Sequence, residues 1–337
     1  MNLVINTPKS FLRVKDGMFL IKNGENKTRL SPEKIDRIVI TTRTGFTSDV
    51  FALAVKNNIE VFLIDHHGNP LGRFWQARFG STALIRRRQL EISQTEEGIF
   101  YAKKWIANKL KNQSEFLKKL AKNRPNAYDY LYEQAGKIEA NCKNLEKYQK
   151  LDDETRNSIM GLEGMSAVSY FDGLSKVIPE PFRFEGRSRQ PAKDMFNVFL
   201  NYAYGVLYGQ TERAMVLAGL DPYIGILHSD GYNKQSLLFD LIENFRIFAD
   251  ETVFYLFSEK KINQSMADKT KKGVILNQEG KKLLIQSYNQ AMDKMTVFSK
   301  KKMKKVNLIQ AFCHAFANEL IGKKPKKGES YEYLGGL

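Results

Sequence analysis

Asp240, Glu243 and Arg246 stand three residues apart inside the apolar run SLLFDLIENFRIFAD. That spacing puts them along one side of a helix. Leu237, Leu238, Phe239, Leu241, Ile242, Phe245 and Phe248 cover most of the remaining circumference, so the helix is expected to be buried. His228, one of four histidines in the chain, precedes it by a loop long enough to fold back. A third acid, Glu163, sits in a second apolar segment, where Ile159, Met160, Leu162, Val168, Tyr170 and Phe171 are expected to bury most of the surface. Carboxylate and imidazole donors of this kind suit a hard divalent ion such as Mg²⁺ or Mn²⁺. A packing network in which the acids pair with arginine would leave the same pattern, and these segments alone do not separate the two readings. Gly161 and Gly164 flank Glu163. A glycine inside a helix costs up to about 1 kcal/mol relative to alanine, so the pair implies that something, a packed helix or a ligand, approaches the backbone closely.

These side chains must be positioned by a chain of 337 residues, which is more than one hydrophobic core usually serves. The first 75 residues read as strands. SFLRVKDGMFLIKNGENKTRLSP holds two apolar runs joined by Asp16-Gly17, a hairpin signal, with a second turn at Asn23-Gly24. IDRIVITT alternates as a strand, TSDVFALAVKNN has helical spacing behind a Thr47 or Ser48 cap, and IEVFLID and LGRFW resume as strands. From about Ala83 the period becomes helical through residue 122. Further helices are expected near 128–147, 152–178, 194–218, 234–250, 278–297 and 303–321. The expected fold is α+β: a β-rich domain over residues 1–80, a larger all-helical domain over 81–322, and a basic, loosely held tail at 323–337.

Composition narrows the function classes. Fifty-three Lys and Arg against 37 Asp and Glu give a formal charge of +16. Residues 101–150 hold eleven Lys and one Arg against five acids, and SKKKMKKVN and GKKPKKG add further runs. A polyanionic partner accounts for such clustering, since cations release counterions from a phosphate backbone; a solvated lysine face is the alternative. Trp105, Tyr128 and Tyr130 interleave with the lysines and read as core residues rather than base-stacking platforms. Cys142 and Cys313 are the two cysteines and no CxxC occurs, so no disulfide framework or cysteine zinc site is expected and a reducing cytoplasm fits. No secretory leader and no apolar run of roughly 18 residues is seen. GxxxxGK[ST], HExxH, GxSxG and a strand-linked GxGxxG are all missing, which leaves ATP hydrolysis, zinc proteolysis and α/β-hydrolase chemistry without support. His66 and His67 in a turn, and His314 on a late helix, read as structural.

The segments LEGMSAVSYF, FEGRSRQPAKDMFNVFLNYAYGVLYGQTERAMVLAGLDPYIGILH and SLLFDLIENFRIFAD, in this order and spacing, resemble the CRISPR-associated protein one family, the integrases of spacer acquisition. SPEKIDRIVIT, GNPLGRF, RRRQ and KLKNQSEFL extend the resemblance to nearly the whole chain. The resemblance implies a β-rich amino-terminal domain that dimerises and a helical domain that holds Mg²⁺ or Mn²⁺ through Glu163, His228 and Glu243, with Asp240 as the neighbouring acid. Arg187, Asn197, Tyr202 and Arg246 match family positions around that site. Arg73, Arg86, Arg87 and Lys109 are candidate DNA contacts. The implied reaction is attack by a DNA 3′-hydroxyl on a strand of the CRISPR repeat, and the implied partners are double-stranded DNA, a second copy of the chain, and a small CRISPR-associated protein two that bridges two dimers. Ala192 stands where a second proline is common and Asn244 where proline often follows the last acid. A related transposon-borne integrase or nuclease, or a catalytically silent DNA-binding scaffold, is the competing reading.

Overall fold

A computed structural model describes residues 2–35, 37–64, 70–74, 82–298 and 301–323. The chain divides into two compact units, 1–80 and 81–337.

The first unit is built on two four-stranded sheets. Strands β1 (Asn2–Ile5), β2 (Phe11–Lys15), β3 (Met18–Asn23), β4 (Asn26–Leu30), β5 (Arg37–Ile40) and β6 (Gly45–Phe46) lead to helix α1 (Ser48–Lys56), then β7 (Glu60–Ile64) and β8 (Pro70–Phe74). One sheet runs β1-β5-β7-β8, the other β4-β3-β2-β6. The β2–β3 hairpin turns at Asp16 and Gly17, whose φ values of 52° and 69° match the twist of the flanking strands. β5 and β7 are parallel, and α1 is the crossover that a parallel pair requires. Leu12, Phe19, Ile38, Val50, Ala54 and Val61 meet between the elements. At its surface, Phe51 stacks on Phe74 with ring centroids 4.1 Å apart and meets Phe46 edge-on at 4.7 Å. Phe46 and Phe74 remain more than two-fifths exposed.

The second unit is mostly helical: α2 (Thr82–Ser93), α3 (Glu97–Lys122), α4 (Tyr128–Asn144), α5 (Asp153–Val177), α6 (Met195–Ala218), α7 (Ser236–Ile242) and α8 (Arg246–Ser258). A hairpin follows, β9 (Ala267–Thr270) and β10 (Gly273–Leu276), then α9 (Gln278–Met292), a second hairpin, β11 (Met295–Phe298) and β12 (Lys301–Lys304), and α10 (Lys305–Leu320). α3 packs on α4 and α5, and α6 on α8 and α10, around Trp105, Phe199, Phe254, Phe257 and Phe312. Side-chain oxygens of Asp152, Asp194 and Asn277 cap α5, α6 and α9 by accepting from Thr155, Asn197 and Gly280 N–H groups.

The two hairpins depart from the expected all-helical domain. β9–β10 is tied to the 186–194 loop, because Val274 N–H donates to Ala192 O at 2.9 Å. The helix expected over 278–297 ends at Met292 and gives way to β11. The helix expected over 234–250 breaks at Glu243–Phe245, and its second part extends to Ser258. Buried Asn244 sits at the break. Its amide donates back to Leu241 O at 3.1 Å, and its oxygen accepts from Asn108 at 3.0 Å. An asparagine side chain that takes a backbone carbonyl competes with the helix ladder.

Candidate functional site

The turn Gly225–His228 wraps around one carboxylate. Asp240 Oδ2 accepts from Ile226 N–H at 2.7 Å and Leu227 N–H at 3.0 Å, and Oδ1 accepts from His228 N–H at 3.0 Å. His228 Nδ1 is 2.6 Å from the same Oδ1. Glycine is required at 225 because a Cβ there would lie 2.3 Å from His228 O and 2.4 Å from the Ser236 side chain. An acceptor-only carboxylate at Nδ1 sets the tautomer, which leaves Nε2 with its lone pair for a ligand. His228 lines a cavity of about 670 Å³; Asp240, with no exposed side-chain area, stands behind it.

Glu243 occupies the break between α7 and α8 and reaches the same cavity. Arg246 Nε donates to both its oxygens at 2.9 Å, and Lys109 Nζ is 2.5 Å from Oε2. Lys109 also bonds Glu163, which stands on α5. Burial alone would push the Glu243 carboxyl up; Arg246 and Lys109 outweigh it and hold it down at about 2. The same pairs raise Lys109 and Arg246 against their own burial. Glu243, Lys109 and Arg246 are thus all ionised at neutral pH.

The helix α6 supplies the opposite wall. Asn201, Tyr204, Gly205 and Tyr208 follow the i, i+3, i+4, i+7 pattern of one helical face and all line the cavity. Tyr208 OH accepts from Arg246 at 2.9 Å, and Tyr204 OH donates to Asp250 Oδ1 at 2.6 Å. Burial pushes the Asp250 carboxyl up to about 6, against the Tyr204 hydrogen bond. The guanidinium groups of Arg246 and Arg187 lie 4.7 and 5.3 Å from the Tyr204 ring centroid. Arg187 donates to Asn197 at 2.9 Å and to Asn201 at 2.5 Å.

Glu163, His228, Glu243, Arg187, Arg246 and Lys109 therefore line one cavity, while the remaining expected residues are placed elsewhere. Asn197 is fully buried at the start of α6. It accepts from Ser188 N–H and donates to Gly186 O, so it holds the loop that carries Arg187. Tyr202 is partly exposed near Lys281 and is not among the cavity-lining residues; one residue along a helix is about 100° around it, and Tyr204 and Tyr208 hold the facing positions. Lys109 corrects the expectation of a surface DNA contact: it is 6% exposed, and its ammonium is spent on Glu163 and Glu243. Arg86 and Arg87 are exposed on α2, Arg86 beside Asp221 at 3.4 Å, and Arg73 pairs with buried Glu60 at 3.5 Å. Nothing lies within 4 Å of a Cβ built at Gly161 or Gly164, so no part of the described chain makes the expected close approach. Met160 and Val168 are exposed rather than buried, along with Met165. His66 and His67 fall outside the described residues; His314 is exposed on α10.

Two carboxylates and an imidazole are the right donors for Mg²⁺ or Mn²⁺. Among the described residues no three His, Cys, Asp or Glu side chains stand close enough to hold an ion as they are. At the acids, a cation, the Lys109 ammonium, sits between Glu163 and Glu243. That placement shows that the two carboxylates converge on one point and accept positive charge there, so the residues fit a divalent ion.

A family model described as CRISPR associated protein Cas1 matches residues 3–290. The chain is 31% identical to CRISPR-associated endonuclease Cas1 1 of Archaeoglobus fulgidus, over 97% of this chain and 99% of that protein. It is 28% identical to CRISPR-associated endonuclease Cas1 of Thermotoga maritima, over 93% and 95% of the two chains. Among solved structures, a casposase bound to integration product superposes with a TM-score of 0.77 at 23% identity, covering 99% of this chain and 96% of that one. A CAS1 protein from Thermotoga maritima superposes with a TM-score of 0.76 at 21% identity, covering 96% and 98%. The fold is that of these proteins, and the chain belongs to the Cas1 family of CRISPR-associated proteins.

Proposed function

We propose that this chain is a divalent-metal-dependent DNA integrase of spacer acquisition, with Glu163, His228 and Glu243 as ligands for Mg²⁺ or Mn²⁺. The observation that carries the proposal is the meeting, in one cavity, of a carboxylate from α5 and one from the α7–α8 break with a histidine whose tautomer is set by Asp240. The endonuclease names of the relatives and the casposase fold point the same way. A bound ion would polarise the scissile phosphodiester and stabilise charge on the attacking and leaving oxygens.

The reaction is a transesterification. The 3′-hydroxyl of a short DNA fragment attacks a phosphorus of the repeat, one P–O bond forms, one breaks, and the displaced strand leaves as a new 3′-hydroxyl. The bond count is unchanged, so no nucleotide hydrolysis is needed, in keeping with the missing phosphate-binding loop. Arg187, Arg189 and Lys234 line the cavity and draw a phosphate backbone into it. Arg246 holds Glu243 by both oxygens, and Tyr208 fixes Arg246 from the far side. Asp240 keeps His228 Nε2 turned to the cavity.

The same reading assigns the partners: double-stranded protospacer and repeat DNA, a second copy of the chain joined through residues 1–80, and a small Cas2-type subunit bridging two dimers, in the cytoplasm. Solved relatives include a Cas6-RT-Cas1--Cas2 complex with a TM-score of 0.75 at 20% identity, of which this chain spans 36%. No described helix is long and apolar enough to cross a membrane. A silent DNA-binding scaffold has one observation in its favour: Lys109 already neutralises the acids. Strand transfer of a labelled fragment into a repeat plasmid, with Mn²⁺, Mg²⁺ or chelator, separates the two. Metal-dependent product that disappears in Glu163→Gln and Glu243→Gln is expected. Undiminished product in both variants, or no product from the unaltered protein, would return the acids to a packing role.

A further inference from the structure

Lys109 lies on the inner face of α3, with Trp105, Ile106, Leu110 and Gln113, and its side chain is 8% exposed. Burying an ammonium is costly unless opposite charge compensates it. The compensation comes from Glu163 on α5 and Glu243 beyond α7, the two acids assigned above as ligands. Arg246 covers Glu243 alone; among the described residues, Lys109 is the partner of Glu163. The ammonium nitrogen is 2.5 Å from Glu243 Oε2. A divalent ion held between Glu163 and Glu243 would claim the space that the ammonium occupies.

We infer that Lys109 is a built-in placeholder cation, which holds the two glutamates together in the metal-free protein and must withdraw before a divalent ion can bind. This rests on the metal assignment of the preceding subsection. With Lys109 in place the four charges sum to zero, so the acids neither repel one another nor draw ions from solution. The cost is that an incoming ion must displace one charge and then stand beside it. Lys109 therefore sets the metal affinity of the site rather than touching DNA.

The test is Mn²⁺ binding to the full chain, read from the free-ion EPR signal without DNA, so no activity enters. Lys109→Met keeps the length and removes the charge. Removing a unit charge beside a divalent ion is expected to tighten binding at least about tenfold even with near-aqueous screening. Lys109→Arg keeps the charge and gives no such gain. Thermal melts supply the second signature. Lys109→Met melts below the unaltered protein in chelator, because the acids then repel, and saturating Mn²⁺ raises its melting temperature more than that of the unaltered protein. Lys109→Gln, whose amide can still donate to one acid, repeats the measurement if Lys109→Met folds poorly. Adding Glu243→Gln to Lys109→Met must abolish the gained binding; Mn²⁺ held undiminished would place the ion elsewhere and overturn the inference. If the unaltered protein binds Mn²⁺ and neither neutral variant binds it more tightly, the placeholder role falls and the metal site stands. If no variant binds Mn²⁺, the metal site falls with it.

Discussion

Asp240→Asn is the most informative single change, because four donors converge on that carboxylate and an amide can serve only two of them. Oδ2 accepts from Ile226 and Leu227 N–H, and Oδ1 from His228 N–H and Nδ1. Asparagine keeps one oxygen and turns the other position into a donor. In one amide orientation the Ile226 and Leu227 N–H groups face an NH₂; in the other, both His228 donors do. Hydrogen bonds to a charged group contribute about 1.5–3 kcal/mol each, and a buried donor left unmade costs about 1–3 kcal/mol. Two are lost at a position with no exposed side-chain area, so the change should cost on the order of 3–5 kcal/mol. In a helical unit of this size that corresponds to a fall in melting temperature of roughly 6–20 °C. The assay is urea unfolding followed by circular dichroism, beside Glu163→Gln as a change at the same cavity. Strand transfer should fall as well, since the amide no longer fixes which His228 nitrogen faces the cavity. A variant within about 0.5 kcal/mol of the unaltered protein would refute the idea that Asp240 organises the 225–228 turn, and the carboxylate would then be an ordinary member of the stripe.

Asp250 makes stability depend on pH with a definite sign. Burial lifts its carboxyl from 3.8 to about 6, so between those values the folded chain keeps a proton that the unfolded chain releases. Stability therefore falls as pH rises through this window, by up to about 3 kcal/mol for a 2.2-unit shift; Asp250→Asn should flatten that slope in unfolding titrations from pH 4 to 7, and parallel curves would contradict it. At the surface of the first unit, Phe74→Glu places a charge in the exposed Phe46–Phe51–Phe74 cluster; if residues 1–80 join two copies, light scattering should show dimer dissociation shifted at least about tenfold, since burying one aromatic contributes about 1.5–3 kcal/mol. Reversing Arg87 and Lys122, both exposed, should weaken binding of unrelated DNA sequences alike and lower the salt slope by about 2, as expected for two lost phosphate contacts. Mn²⁺ binding should not change in that double variant, and a change would mean that the two sites are coupled.

Much of the site could be read along the chain. A helix nearly apolar all round, yet carrying Asp240 and Glu243, must put its acids against protein, and it does: both are buried. His228 could be placed because a loop of known length returns it to the same helix. Arg187, expected from the family resemblance alone, is carried to the cavity by a loop whose hold, through Asn197, is local. The hairpin at Asp16-Gly17 and the capped helices α5, α6 and α9 are likewise local: one turn conformation or one side-chain oxygen decides each.

What the sequence left open is which side of each acid the rest of the protein occupies. Asp240 and Glu243 have the same spacing as any i, i+3 pair, but the break at Asn244 separates them. One carboxylate turns back to backbone N–H groups and the other out into the cavity, and at that break Asn244 also accepts from Asn108, which arrives from α3. Lys109 was hidden among eleven lysines. Its place on the Ala102, Trp105, Ile106, Gln113 and Phe116 stripe was a usable signal, but a buried ammonium needs two acids from α5 and the α7–α8 junction, neither of which is near it in the chain. Met165 and Val168 show the converse: apolar residues on a helix predict burial only where another element comes to cover them, and none of the described elements does. Periodicity specifies the face of each element. Only packing decides what that face meets, because the charges that make a buried lysine or carboxylate tolerable come from segments far apart in the chain.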